Sequence, residues 1–474
     1  MNMIAKPLAL YTQIVILSLF VGACSPASKI ADTNGWDKLD SILSQIKAPD
    51  FPDNDFYITN FGAVADGHTL ATEAIRSAIE ACHTAGGGRV VVPAGEFHTG
   101  AIHLKSNVNL HLAEGAVLKF SRNDDDYLPV VFTRWEGVEL YNYSPFIYAY
   151  DQQNVAITGQ GTLDGNATSE HWWFWKGPWS RRTWEIVPQN QVESRRKLFQ
   201  MAEEGVPVEE RIFGKGHYLR PNFVQFYKCR NILIEGITIK NSPMWVIHPV
   251  LSENITISNV SVITHGPNND GCNPESSRNI LIQDSFFDTG DDCIAIKSGR
   301  NADGRRLNVP SENIIVRRCT MRDGHGGVVM GSEISGSVRN VFVEDCIMDS
   351  PNLDRIIRLK TNSIRGGTIE NIFVRNLNVG NVRQAILHID FDYEEGDAGD
   401  FPPIVRNIHL ENITSQSSDR AIFIRAYERA PVTGVFLKNC TFKGVERENL
   451  INYVNDFRAE NVTINGQPMK TTQE

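Results

Sequence analysis

A four-residue frame recurs along the chain. It reads Asn154-Val-Ala-Ile, Asn231-Ile-Leu-Ile, Asn254-Ile-Thr-Ile, Asn279-Ile-Leu-Ile, Asn313-Ile-Ile-Val, Asn340-Val-Phe-Val, Asn371-Ile-Phe-Val and Asn407-Ile-His-Leu, and Gly434-Val-Phe-Leu and Asn461-Val-Thr-Ile continue it. From Asn231 onward the copies are roughly 23 to 36 residues apart, the length of one coil in a repeat architecture. Within each copy apolar residues alternate with others, so each is a strand with one face turned inward. Asn tolerates left-handed backbone, and stacked copies can bond through their amides. Short strands at coil spacing predict an all-β chain folded as a right-handed parallel β-helix. A β-sandwich would need hairpins with Asn-Gly or Asp-Gly turns, and these are scarce between the copies.

Six residues past the first residue of successive copies, from Asn231 to Gly434, stand Ile237, Val260, Ser285, Cys319, Cys346, Leu377, Ile413 and Cys440. Cys exchanges with Ile, Leu and Val at one interior position, where a free thiol behaves as a small hydrophobe. The chain has eight cysteines. In an exported protein these would suggest disulfides, but their positions argue against bridges, and the place of Cys319, Cys346 and Cys440 in the repeat predicts that these three are core thiols. A metal site is not expected there, because no His falls in the same column.

Before the repeat, Leu70, Ala74, Ile75, Ala78, Ile79 and Cys82 keep helical spacing, with Gly86-Gly87-Gly88 beyond them. One amphipathic helix ahead of many strands suits a cap over the open end of a solenoid. Earlier still, Lys6 precedes an apolar run from Leu8 to Val21 that ends in Val-Gly-Ala-Cys24. The pattern predicts a lipoprotein-type signal peptide over 1–23, lipidation of Cys24 and a tether over 24–52 containing a short helix from Trp36 to Ile46. The β-helix domain is expected over 53–474. No acidic run follows Cys24, unlike in some surface-exposed lipoproteins, so a periplasm-facing, lipid-anchored envelope protein is expected.

One segment, 166–221, interrupts the rhythm. It carries His171-Trp-Trp-Phe-Trp-Lys-Gly-Pro-Trp179, then Arg181, Arg182 and Trp184. Long insertions from a solenoid fall on one face, often the binding face. The aromatics either stack on a sugar or form a small core that anchors the loop. The net charge of −10 argues against an electrostatic nucleic-acid binder.

Charged residues then recur coil by coil: His248, Asp270, the pair Asp291 and Asp292, His325 in Gly-His-Gly, and Arg358 with Lys360. Side chains alternate faces along a strand, so Asp291 and Asp292 share an environment only if the backbone bends there. One carboxyl kept protonated beside others kept ionised is what an acid and a base at one bond require. Stacked coils lie about 4.8 Å apart, close enough to gather these groups around one sugar ring.

These blocks resemble glycoside hydrolase family 28, the polygalacturonase family. Asn268-Asn269-Asp270 is similar to its Asn-Thr-Asp block, with Asn269 in place of Thr. Gly290-Asp291-Asp292, Gly324-His325-Gly326 followed by Met330-Gly331-Ser332, and Arg358-Leu359-Lys360 are similar to the other three. The resemblance runs from about Phe56 to the C-terminus. It implies a pectin-lyase-like solenoid that hydrolyses α-linked galacturonic acid with inversion. Asp291 would protonate the leaving oxygen, Asp270 with Asp292 would activate water, and His325 would tune the cluster. Arg358 and Lys360 would hold the substrate carboxylate, with Lys297, His248 and Tyr393 as further binding residues. Inversion ordinarily sets the two carboxyl groups roughly 6.5–9.5 Å apart. The stretches Asn241 to Pro249 and Gly299 to Arg306 resemble exo-acting bacterial members, so release of single units from non-reducing ends is expected. The inserted segment would wall off one end of the groove, and the extra cluster of Arg300, Arg305 and Arg306 supports the same expectation. No metal or other cofactor is expected, and a monomer acting on a pectic polysaccharide or oligogalacturonide is. The rivals are a hydrolase of rhamnogalacturonan, a pectate lyase and a non-catalytic polysaccharide-binding β-helix.

Overall fold

The computed structural model describes residues 35–469. The signal-peptide segment and Cys24 lie outside the described residues. The described chain is a right-handed parallel β-helix. Each coil contributes up to three short strands, and successive coils pair in register. Arg230–Glu235, Glu253–Ser258, Arg278–Gln283, Ser311–Arg317, Val338–Glu344, Thr368–Arg375 and Ile404–Glu411 stack along one face. Ile232, Ile255, Ile280, Ile314, Val341, Ile372 and Ile408 thus form one buried column, and each apolar side chain taken from water there contributes roughly 2 kcal/mol. The cysteines Cys82, Cys229, Cys272, Cys293, Cys319, Cys346 and Cys440 are free and buried.

The frame residues turn the coil. Asn154, Asn231, Asn254, Asn279, Asn313, Asn340, Asn371 and Asn407 all have φ between 54° and 62°. Their amides bond from coil to coil: Asn231 Nδ2 donates to Asn154 Oδ1 (2.9 Å), Asn340 to Asn313 (3.0 Å) and Asn407 to Asn371 (2.7 Å). Gly434 keeps the left-handed turn, at φ 74°, without the amide. Asn461 does not belong to this column. Asp456 occupies it (φ 57°), because Thr433 pairs with Asn455 and Val435 with Phe457. Asn461 falls in a second left-handed column five residues further on, with Asn259, Asp284, Arg318, Asp345, Asn376, Asn412 and Asn439.

The helix Thr72–Thr84 buries Ala74, Ile75, Ala78, Ile79 and Cys82 against the first coils and covers that end. Part of the expected tether is docked instead. Gly35–Lys38 and Leu39–Gln45 are helical, and Leu39 and Ile42 pack on Leu281, Ile315, Phe342 and Phe373, outside the solenoid. Arg375 stacks 3.8 Å over Trp36. Asn254 turns its amide oxygen to the Lys47 N–H (2.8 Å), and among the described residues no amide bond joins it to Asn279.

The third face is split. A four-stranded sheet ends at Ile247–Val250 and a six-stranded sheet begins at Ile294–Ile296. The coil between them has no regular strand on this face and pairs with both neighbours through bridges at Cys272 and Glu275. That irregular coil carries Asp270. One antiparallel hairpin, Val131–Trp135 with Val138–Asn142, also leaves the solenoid. Its two-residue turn is Glu136-Gly137, with φ 42° and 83°, as a tight hairpin requires. The hairpin, the inserted helix Val192–Glu203 and Trp245 share a second core of Trp135, Leu140, Leu198, Ala202 and Phe213.

Asn313→Ala removes two amide bonds and places a Cβ-bearing residue in the left-handed region. Thermal and denaturant unfolding are expected to show a loss of roughly 2–4 kcal/mol. Asn313→Gly keeps the backbone and should lose clearly less. Equal losses would show that the turn, as opposed to the amide ladder, contributes nothing.

Candidate active site

A cleft of about 330 Å³ lies over the split in the third face. Asp291 and Asp292 sit between the strands Phe286–Thr289 and Ile294–Ile296, where the backbone bends, so both carboxylates reach one cluster. Asp270 joins them from the preceding coil. One oxygen of each lies within 4.8 Å of the others. The coils approach this closely because Gly290 has no side chain: a Cβ there would stand 2.4 Å from the Gly266 carbonyl oxygen. Buried Arg220, the end of the inserted segment, donates to the carbonyls of Pro243 (2.8 Å) and Pro267 (2.6 Å) and to Asn268 Oδ1 (2.8 Å). That holds the loop before Asp270. Asn269 is fully buried and donates to Ser242 O and Met244 O, so it serves the loop's shape.

The three acids occupy different surroundings. Asp292 is wholly buried and accepts from Lys360 Nζ (2.7 Å) and Arg358 Nη1 (3.3 Å). Arg358 and Lys360 stand two apart on Arg355–Lys360 and therefore share its outer face. Both are thus engaged by Asp292, an acid of the cluster itself, in addition to the substrate contact that the resemblance implies. Buried polar charge demands a partner, and Asp292 supplies it. Tyr393 lies over both cations, 5.6 Å from Arg358 and 5.3 Å from Lys360.

Asp270 is pushed up to about 8, by burial first and then by the charge of Asp291, with Lys297 (3.7 Å) opposing. Asp291 goes the other way. Burial opposes its ionisation, but the His325 ring, with Nδ1 3.0 Å from Asp291 Oδ1, outweighs burial, helped by Lys360 and Arg358. Its carboxyl is held well below the usual range. His325 is raised in turn by Asp291. Asp270 thus holds a proton more readily than Asp291, the residue to which the resemblance gives the acid's role. The oxygens also sit closer than the separation expected for inversion.

Lys297 Nζ donates to Glu333 (3.0 Å) and the Gly331 carbonyl (3.2 Å) and lies 4.5 Å from the Trp245 ring. His248 is not a binding residue. It is fully buried, with Nε2 2.7 Å from Glu275 and Nδ1 3.0 Å from Gln225, because the hairpin covers the outer face of its strand, where Gln225 also meets Thr133 and the Arg134 carbonyl. Two arginines of the cluster lie away from the cleft lining: Arg305 lies over Phe401 (3.7 Å), and Arg306 pairs with Glu139 (2.6 Å). Only Arg300 of that cluster reaches a cleft residue, Glu333, at 3.4 Å. Of the tryptophans, Trp172 and Trp175 are buried in the main core, and Trp179 lines the cleft.

Glu136, Arg195, Glu333 and Glu394 also line the cleft and were missed in the sequence. Glu136 was legible as a two-residue hairpin turn between alternating strands. The others lie in no repeat position or motif. The trio of carboxylates could share a cation by distance, but Lys297, Lys360, Arg358 and His325 already answer their charge.

Comparison with known proteins agrees with this architecture. Residues 213–464 match the model for glycosyl hydrolases family 28. A probable polygalacturonase of Vitis vinifera is 30% identical over 403 residues, covering 81% of this chain and 73% of that protein. The chain belongs to glycosyl hydrolases family 28. It is therefore a glycoside hydrolase. An exo-poly-alpha-D-galacturonosidase of Dickeya chrysanthemi is 30% identical over 76% of this chain and 62% of that protein. The crystal structure of a hyperthermoactive exopolygalacturonase from Thermotoga maritima superposes with a TM-score of 0.88, at 47% identity, over 91% of this chain and 96% of that one.

With Asp270 pushed up to about 8, the alkaline limit of activity is expected near pH 8. The rate constant kcat/KM, which reports the free enzyme, should fall about tenfold per pH unit above that point. Lys297→Met removes a charge that lowers Asp270, so the alkaline limb should move to higher pH. A limb unmoved by that change would separate it from Asp270.

Proposed function

We propose that this protein hydrolyses α-linked galacturonic acid in polygalacturonate, releasing single units from non-reducing ends with inversion. The observation that carries this is the trio of carboxylates, ringed by cations, in a cleft bounded on one side by the inserted segment. The exo-acting relatives support the mode of action.

Asp291 is the most accessible of the three acids: its side chain is 17% exposed, against 4% for Asp270 and 0% for Asp292. In this mechanism the glycosidic oxygen docks at Asp291 and expels water. Asp291 then receives the proton from Asp270, whose oxygen lies within 4.8 Å, by way of the water held between the carboxyl groups, and passes it to the leaving oxygen. Asp270 and Asp292, now both anionic, orient the attacking water, and Asp270 takes the proton that water sheds as its oxygen bonds to the anomeric carbon, which restores the starting state. Carboxyl groups about 5 Å apart are common where the second acts as nucleophile. Here that role suits neither candidate. Asp292 is buried under two cations, and Asp270 enters the cycle protonated. Water is the better nucleophile, and direct displacement by water inverts the anomeric carbon.

Export and lipidation at Cys24 are proposed on the apolar run from Leu8 to Val21 and the small residues before the cysteine.

Digestion of trigalacturonate, followed by proton NMR in the first minutes, should show the β-anomer of galacturonate before mutarotation. An initial α-anomer would overturn direct displacement. Mid-chain fragments from polygalacturonate would overturn the exo assignment. Asp291→Asn should lower kcat by roughly 10²–10⁴-fold at unchanged melting temperature, measured by reducing-sugar release.

A further inference from the structure

The cleft's cations are nearly all committed to protein carboxylates. Arg358 and Lys360 hold Asp292, Lys297 holds Glu333, Arg195 holds Glu136 (2.8 Å), and His325 holds Asp291. Lys176 is different. It lines the same cleft, yet among the described residues no carboxylate lies within ion-pairing distance of it. Its position is firmly set. It ends the short helical turn Trp173–Lys176, whose Trp175 is buried in the main core against Trp172 (4.9 Å) and Tyr218 (5.2 Å), and Trp173 Nε1 donates to the Ser242 carbonyl (2.8 Å). Burial lowers its pKa, with Glu136 opposing, so the ammonium is poorly solvated as well as unpaired. A desolvated cation gains most from an incoming anion.

We propose that Lys176 is a substrate-binding residue that receives the carboxylate of the galacturonate unit lodged against the inserted segment. This rests on the galacturonide reading above and names the group that makes the enclosed end acid-specific. Lys176 stands on the insertion and outside the four motif blocks, so the binding pocket is completed by the segment that interrupts the solenoid. Glu136, on the neighbouring hairpin turn, is kept off Lys176 by its bond to Arg195, which leaves the ammonium open to the ligand.

The test compares wild type, Lys176→Met and Lys176→Arg on two substrates: trigalacturonate, and trigalacturonate methyl-esterified only at its non-reducing unit. On the free acid, K176M should raise KM roughly 10- to 100-fold with a smaller change in kcat, and K176R should recover most of the loss. On the ester, all three should have the same KM. An equal loss on both substrates, or an unchanged KM on the acid, overturns the assignment. Calorimetry with galacturonate and with galactose separates this from the hydrolase reading. A wild type that is inert on every galacturonide, yet binds galacturonate through Lys176, would sink the reading and leave the assignment standing. If K176M fails to fold, K176Q carries the same comparison.

Discussion

The parallel backbone ladder between successive coils is the constraint from which the molecule follows. Strands of neighbouring coils must sit about 4.8 Å apart and in register for their amides to bond. The chain must then turn at fixed places in every coil. Two left-handed residues per coil do this along the main face, one at the Asn frame and one five residues later. With corners and register set, inward residues stack into columns and outward residues into files. The active site is one such file, interrupted where the coil carrying Asp270 loses regular strand structure. The regular coils on either side supply the rigidity, and the irregular one supplies the space.

Charge balance is the second organising fact. Three carboxylates packed this tightly could not all be ionised without cations beside them. The molecule answers each differently. Asp292 is neutralised by Arg358 and Lys360, Asp291 by His325, and Asp270 largely by keeping its proton. The environments are pushed apart, which is how similar acids come to do different jobs. The arrangement also redefines the basic motif. Arg358 and Lys360 are part of the acid cluster before they are part of any sugar site, and a substrate carboxylate would have to be met with their pairing intact or by another cation.

The aromatic insertion divides its labour by depth. Trp172 and Trp175 anchor it in the main core, while Trp179, Lys176 and Arg195 face the cleft. The hairpin with Glu136 at its tip leans against the same helix. Two departures from the solenoid, separated by a short run of coil strands, thus form one side of the site. Arg220 links this side to the loop that carries Asp270.

Much of this was legible in the linear chain. The Asn frame specified the coils, since an αL-tolerant residue followed by alternating apolar positions has few other uses at that spacing, and the cap helix and core thiols followed from period alone. The motif blocks named Asp270, Asp291, Asp292 and His325 because those residues are local in sequence. What periodicity could not convey was partnership across coils. His248 was placed by its position in a coil, yet its neighbours Glu275 and Gln225 belong to other coils and enclose it. Asn461 was read into the wrong column because both corners favour the same residue. The proton's seat on Asp270 depends on burial and on the field of charges from five coils and an insertion. Local pattern therefore dictated which groups exist and how often the chain turns. Their ionisation, their pairing and their access to solvent arose from stacking, because electrostatic energy depends on distances through space that no spacing along the chain encodes.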